Sequence, residues 1–201
     1  MLLSTTIIGW IGILLYIIII FTYKMLAKNN EFAFIHILMA TMNALWLPLP
    51  LSLYLLLNSE ILIVGTIFGF VYLFMLVITM ALQTGHITYI VKRNQNQSIT
   101  EQQADYMMAT LSNPFESLTG VFKGIWALFL GFTFWNNGEI LMATLMFIFS
   151  VMLFYYLVLM LNTSVIKQVK WLSSIKPNSL IINLETLFFF IILMSYITVN
   201  I

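Results

Sequence analysis

The sequence predicts an all-α, polytopic membrane protein with six transmembrane helices and both termini on the extracytoplasmic side. Apolar residues make up 62% of the chain and charged residues only 7%, whereas a soluble domain carries roughly a quarter charged residues. The apolar residues fall into six long runs, and the basic residues cluster in every second gap between these runs. The fold prediction follows from these three observations.

Each run is long enough to cross about 30 Å of hydrocarbon as a helix. A helix is expected because an open strand in lipid would leave its amide groups unpaired. The predicted spans are Leu2–Tyr23, Phe32–Leu57, Ile61–Val91, Leu118–Trp135, Ile140–Ile166 and Leu180–Ile201. Residues 1–201 are therefore predicted to form a single six-helix membrane domain.

The positions of the basic residues predict the orientation of the six spans. The connections after the first, third and fifth spans hold Lys24, Lys28, Lys92, Arg93, Lys167, Lys170 and Lys176. Residues 58–60 and 136–139, in the other two connections, include one glutamate each and no basic residue. Basic loops resist translocation, so we expect a multi-pass protein of the cytoplasmic (plasma) membrane, N-out and C-out.

The second span is predicted to be kinked or broken because Pro48 and Pro50 lie near its middle. Each proline lacks an amide donor and clashes with the preceding turn. Broken helices at mid-membrane line the pathways of many transporters. A kink with no role beyond shape is the alternative interpretation.

Small residues predict close helix packing in the third and fourth spans. Gly65 and Gly69 are four residues apart in the third span, and Gly120, Gly124 and Gly131 recur along one face of the fourth. Helices in lipid approach closely where such small residues meet. Packing inside the chain is one interpretation, and self-association into a homo-oligomer through the fourth span is the other.

The connection after the third span, residues 92–117, is predicted to be a cytoplasmic loop containing one short interfacial helix. Ser98–Glu101 fits a capping box, in which side chains satisfy the first free amides of a helix. Apolar residues then recur at helical spacing, and Asn113 with Pro114 is expected to end the helix. Such an amphipathic segment anchors to the inner leaflet or docks a partner.

The candidate functional residues are polar groups within the spans, which usually face a bundle interior because they are costly in lipid. By helical rise, most of them fall in the inner third of the bilayer. They are His36, Asn43, Gln83, His86, Lys123, Asn162 and Glu185.

Three physical interpretations of this polar layer remain open. The layer could line a water-filled vestibule, with Lys123 and Glu185 as a charge pair and the histidines as titratable gates. Alternatively, His36 and His86 could hold a b-type haem between neighbouring helices. In the third interpretation the groups satisfy one another while Lys123 snorkels to the headgroups.

Several classes of protein are disfavoured by composition and motifs. A net charge of +1 argues against a nucleic-acid partner, which needs a concentrated basic face. The chain has no cysteine, which removes thiolate catalysis and thiolate metal sites. We find no serine-hydrolase elbow, zinc-protease motif or phosphate-binding loop, and no metal site, so an enzyme is not expected.

The stretch Phe68–Phe74, with the sequence FGFVYLF, resembles part of the urea and amide channel family. The resemblance implies six spans, outward termini and a functional glutamate near the start of the last span, which would correspond to Glu185. It covers under a tenth of the chain. The long inner loop departs from that family, and the family's Asn-Gly pattern in the first span is absent here.

The function predicted from the sequence is a small-solute or ion channel or transporter with a polar vestibule on the cytoplasmic side. One alternative is a redox membrane subunit that binds haem through His36 and His86. Another is a non-catalytic accessory subunit of a larger membrane complex. No cofactor is predicted outside the haem alternative, and the lipid bilayer is the expected partner.

Overall fold

The computed structural model describes residues 1–93, 100–167 and 169–201, and it contains no strand within those ranges. Six of its helical stretches are long and apolar enough to cross a membrane. The predicted all-α fold with six spans is thus confirmed. The helices are α1 (Leu2–Lys28), α2 (Phe32–Trp46), α3 (Leu49–Leu57), α4 (Leu62–Arg93), α5 (Glu101–Met107), α6 (Asn113–Asn136), α7 (Ile140–Ser164), α8 (Lys170–Ser173) and α9 (Ser179–Val199).

The second span is interrupted at its prolines. Helix α2 ends at Trp46, and α3 begins at Leu49 with Pro50 in its first turn, where the missing amide of a proline would have had no partner in any case. At the break, Trp46 Nε1 donates a hydrogen bond to the carbonyl of Gly9 at 3.1 Å. The interruption therefore directs a large side chain across to α1.

Helix α5 begins with a capping box two residues beyond the predicted one. The Thr100 hydroxyl accepts from the Gln103 amide at 3.3 Å, and the Gln103 side chain accepts from the Thr100 amide at 3.1 Å. The predicted cap at Ser98 lies outside the described residues.

The prediction that Asn113 and Pro114 end this helix is wrong. The chain continues from α5 through a π-helical turn, Met108–Ser112, directly into α6. A proline normally clashes with the turn before it, and here the preceding turn is the wider π-helical one. The predicted interfacial helix is therefore the first part of one long helical stretch, Gln102–Asn136.

Helix α6 is the most buried of the six spans. In its most apolar window 67% of the residues are buried, against 17% in α7. A Cβ on Gly120, Gly124 or Gly131 would collide with side chains of α7. A Cβ on Gly65 or Gly69 would collide with Phe129 or Trp126 of α6. Both glycine stripes therefore pack against helices of the same chain.

Both termini lie at one end of the bundle. Trp10 Nε1 of α1 donates to the Thr198 hydroxyl of α9 at 3.0 Å. The Tyr196 hydroxyl donates to Glu139, just before α7, at 2.7 Å. We call this the terminal end, and the opposite end, with Lys28, Arg93 and Lys167, the basic end.

The middle of the bundle is closed by an aromatic layer, which consists of Trp46, Trp126, Phe149, Phe189 and Phe190. Trp46 stacks on Phe190 with ring centroids 3.7 Å apart. Trp126 and Phe149 each meet Phe189 edge-on at 5.3 Å. Four of the five side chains are fully buried, so the layer joins α2, α6, α7 and α9 at one level.

Candidate functional site

A cavity of about 200 Å³ lies between the aromatic layer and the basic end. All six spans contribute lining residues, and Tyr16, Asn43, Tyr72 and Lys123 among them are buried. The ring of Tyr72 stacks at 6.4 Å on Phe190 of the aromatic layer. The deep end of the cavity is therefore closed by packed aromatic side chains.

The shallow end of the cavity lies at the basic end. Its exposed lining residues include Glu116 in the first turn of α6, Thr163 in the last turn of α7 and Pro177 in the connection before α9. Because these residues lie beside the connections of the basic end, the cavity opens there.

Lys123, at the wall of the cavity, belongs to a buried ion pair. Lys123 Nζ of α6 is bonded to Glu185 Oε2 of α9 and donates to the Thr186 hydroxyl at 2.8 Å. The two charged side chains are only 4% and 9% exposed. The Tyr156 hydroxyl donates to the same Glu185 oxygen at 3.3 Å. Lys123 is thus directed into the bundle and does not snorkel to its surface.

Aromatic faces complete the surroundings of the ammonium group. Lys123 Nζ lies 5.8 Å from the ring centre of Tyr72 and 5.4 Å from that of Tyr156, within the range of cation–π attraction. Removing either member of a buried ion pair leaves an uncompensated charge, which costs about 3–5 kcal/mol. The pair therefore joins α6 to α9 inside the bundle.

Asn43 lines the cavity from α2 and keeps one unsatisfied atom. Its Nδ2 donates to the Met39 carbonyl at 2.8 Å, so the free atom must be the acceptor Oδ1. That oxygen is buried and has no hydrogen-bond partner. Glu185 Oε1 is also buried without a partner. A buried acceptor left unpaired costs about 1–3 kcal/mol, so both oxygens would gain from a donor.

The other candidate residues separate into two groups. Asn162 lines the cavity from α7, as Asn43 and Lys123 do from α2 and α6. The residues outside its lining are His36, Gln83, His86 and Glu185. Glu185 nevertheless belongs to the site through its ion pair with Lys123. The structure therefore gathers part of the predicted polar layer at one site, and it places the two histidines elsewhere.

The two histidines do not lie level with each other. The Thr84 hydroxyl of α4 lies 3.4 Å from the Ala33 carbonyl of α2, and in this antiparallel register His36 is level with residue 81. His86 is five residues nearer the basic end, about 7–8 Å of helix rise. A haem between these two imidazoles would need both at the same level.

Each histidine also has its own surroundings. His36 Nδ1 lies 2.6 Å from the Phe32 carbonyl of its own helix. The His86 ring stacks at 6.5 Å on Tyr106 of α5, and its Nε2 is buried without a partner. Within the described ranges no group of three potential metal-ligating side chains is found. These placements give the haem alternative no support.

Three tyrosines were missed as site residues by the sequence reasoning. Tyr16 donates to the Asn183 side chain at 3.0 Å, and Tyr72 and Tyr156 flank Lys123. All three lie inside spans, away from the interfaces where tyrosine is usual. A phenol hydroxyl in lipid needs a partner, so mid-span tyrosines were the signal that could have indicated this site.

The chain has no match among protein-family models, curated proteins or solved structures. The likeness of Phe68–Phe74 to urea and amide channels thus stays a likeness of seven residues. Fold and composition define the class, a multi-pass membrane protein with six apolar spans.

Proposed function

We propose that this protein transports a small solute across the plasma membrane, with the cavity as its solute site. The observation that carries the proposal is a cavity whose wall holds Lys123, a member of a buried ion pair, and an unsatisfied Asn43 oxygen. Polar groups inside a membrane bundle are expensive and characteristically mark solute or ion pathways.

The closed aromatic layer favours a transporter over an open channel. The cavity reaches from the basic end to Tyr72, and packed rings fill the middle of the bundle beyond it. A solute could therefore reach the site from one end only in this conformation. Alternating access needs such a state, with a second state open at the other end.

We propose further that the cavity opens to the cytoplasm. Basic connections stay on the cytoplasmic side of a membrane, and the cavity mouth lies at the basic end. The terminal end, with both chain termini, would then face outward.

Solute flux into proteoliposomes tests the proposal. The purified chain is reconstituted, and osmotic swelling is followed with glycerol, urea and methylammonium chloride, each compared with protein-free liposomes. We expect at least one solute to enter faster with protein. Leu76→Trp, at the half-buried cavity wall on α4, should block that flux by filling the site.

Leu82→Trp is the matched control, because Leu82 is on the same helix but 53% exposed and outside the cavity lining. Its flux should equal that of the native chain. Swelling no faster than in empty liposomes for every solute would overturn the proposal. So would native flux through Leu76→Trp.

A further inference from the structure

We propose that the solute is a small primary ammonium ion with a short apolar body. This inference rests on the proposed function, since it assigns a chemical class to the solute of the same cavity.

The unsatisfied side-chain atom in the cavity lining is a hydrogen-bond acceptor. Asn43 lines the cavity and is 2% exposed, and its free atom is Oδ1, because Nδ2 is held by the Met39 carbonyl. A ligand that pairs with this oxygen must donate a hydrogen bond, and an ammonium group has three N–H bonds to donate.

The charged residues of the lining favour a cation over an anion. They are Glu116 and Lys123, and the charge of Lys123 is balanced by its partner Glu185. The Glu116 carboxylate is therefore the unbalanced charge of the lining. The last turn of α7 and the first turn of α9 both border the mouth. The two helix-dipole ends have opposite signs and offset each other. The charge of the preferred solute therefore depends on the charged side chains.

The walls fit a cation that carries an apolar body. Met39, Met42, Leu76 and Met80 line the side formed by α2 and α4, and thioethers adapt to irregular apolar shapes. The rings of Tyr72 and Tyr156 already stabilise an ammonium group, that of Lys123. An engineered cavity of about 150 Å³ holds benzene, so the roughly 200 Å³ here suits an alkylammonium of a few carbons.

Calorimetric titration of the full chain in lipid nanodiscs tests the class of ligand. The probes are butylammonium chloride, sodium butyrate and butyramide, which share a carbon skeleton and differ in charge. We expect butylammonium to bind with a Kd at least about tenfold below that of butyramide, and butyrate not to bind, as a charge-assisted hydrogen bond implies. Equal or tighter binding of butyrate or butyramide would overturn the inference, as would no binding of butylammonium.

Two variants of Asn43 test the proposed contact. Asn43→Leu should raise the Kd for butylammonium about tenfold or more, and Asn43→Asp should lower it by adding a negative charge. Gln83→Leu is the matched control, because Gln83 is a buried amide with an unpartnered nitrogen outside the cavity lining. Native affinity in Asn43→Leu would refute the contact. If that variant fails to fold, unchanged or weaker binding by Asn43→Asp would do so.

The two proposals can fail separately. Butylammonium binding without flux of any amine or other solute would leave the ligand class standing and overturn the transport function. Flux that is confined to solutes other than amines, and that Leu76→Trp blocks, would support the transport function and overturn the ligand class.

Discussion

The two halves of this bundle are built from the same six spans, but one has a core of fully buried apolar side chains and the other encloses a cavity with polar lining residues. From the aromatic layer to the terminal end, side chains such as Leu53, Leu130, Phe134 and Met146 are almost fully buried. From the same layer to the basic end, polar residues and an ion pair surround about 200 Å³ of space. The half that holds the buried ion pair is thus the half that keeps an open cavity. Stability alone would not favour that arrangement.

The largest effect is expected at Trp46, in the aromatic layer that closes the deep end of the cavity. Trp46→Ala removes a fully buried ring that stacks on Phe190, together with its hydrogen bond to Gly9. Truncating a buried tryptophan costs about 3–5 kcal/mol, so the free energy of unfolding in mixed micelles should fall by that amount. The gap should also let small solutes leak through proteoliposomes.

Trp135→Ala is the control for this prediction, since Trp135 is 56% exposed. Trp135→Ala should lower the free energy of unfolding by well under half as much as Trp46→Ala does, and it should cause no leak of solutes. Liposomes that stay tight with Trp46→Ala would argue against the aromatic layer as the closure.

The second prediction concerns the ion pair beside the cavity. Lys123→Met leaves the Glu185 carboxylate buried without its partner, and the free energy of unfolding should fall by about 3–5 kcal/mol. Because the penalty is an unpaired charge, the double variant Lys123→Met with Glu185→Met should recover most of it. A double variant as unstable as the single one would show that packing, and not the charge, sets the cost.

Glycine substitutions test how tightly α4 is held against α6. A Cβ on Gly69 would meet the Trp126 ring, whereas a Cβ on Gly85 of the same helix meets nothing within 4 Å. Gly69→Ala should therefore lower the free energy of unfolding by about 1–3 kcal/mol. Gly85→Ala should raise it by up to about 1 kcal/mol, because glycine weakens a helix interior. Shifts of opposite sign in the thermal unfolding midpoint, each measured against the native chain, would confirm the prediction. Two shifts of the same sign would contradict it.

The smallest effect is expected at a single hydroxyl of the cavity wall. Tyr156→Phe keeps the ring beside Lys123 but removes the hydrogen bond to Glu185. The loss should be about 1 kcal/mol in the free energy of unfolding. Tyr155→Phe, whose hydroxyl bonds only the exposed backbone near Lys176 and Asn178, should cost less. An equal loss in both variants would remove the special role given to Tyr156.

Local sequence patterns predicted the spans well and the connection before α6 poorly. Run length and hydropathy are properties of a single segment, so six helices could be read directly from the chain. The expected helix end at Pro114 was wrong because a π-helical turn lets the chain continue. Nothing in the local pattern signals that turn.

The depth of a residue along its span also predicts less about the site than the face of the helix on which the residue lies. His36, His86 and Lys123 were assigned to a common layer from their distances to the span ends, but only Lys123 lines the cavity. The cavity lining includes Tyr16, Tyr72 and Tyr156 because each lies on the inward face of its helix. Which face turns inward depends on neighbouring helices.

An all-α membrane fold, six apolar spans and the gathering of basic residues at one end could be predicted from the sequence, since hydropathy and charge are properties of each segment. Which polar residues contact one another became known only from the packing of the helices. Contacts such as Gly69 against Trp126 and Gly120 against Tyr156 limit how α6 can be rotated against α4 and α7. That rotation brings Lys123 to Glu185 and leaves both histidines outside the cavity. Packing between side chains distant in sequence carries that information, and no single span contains it.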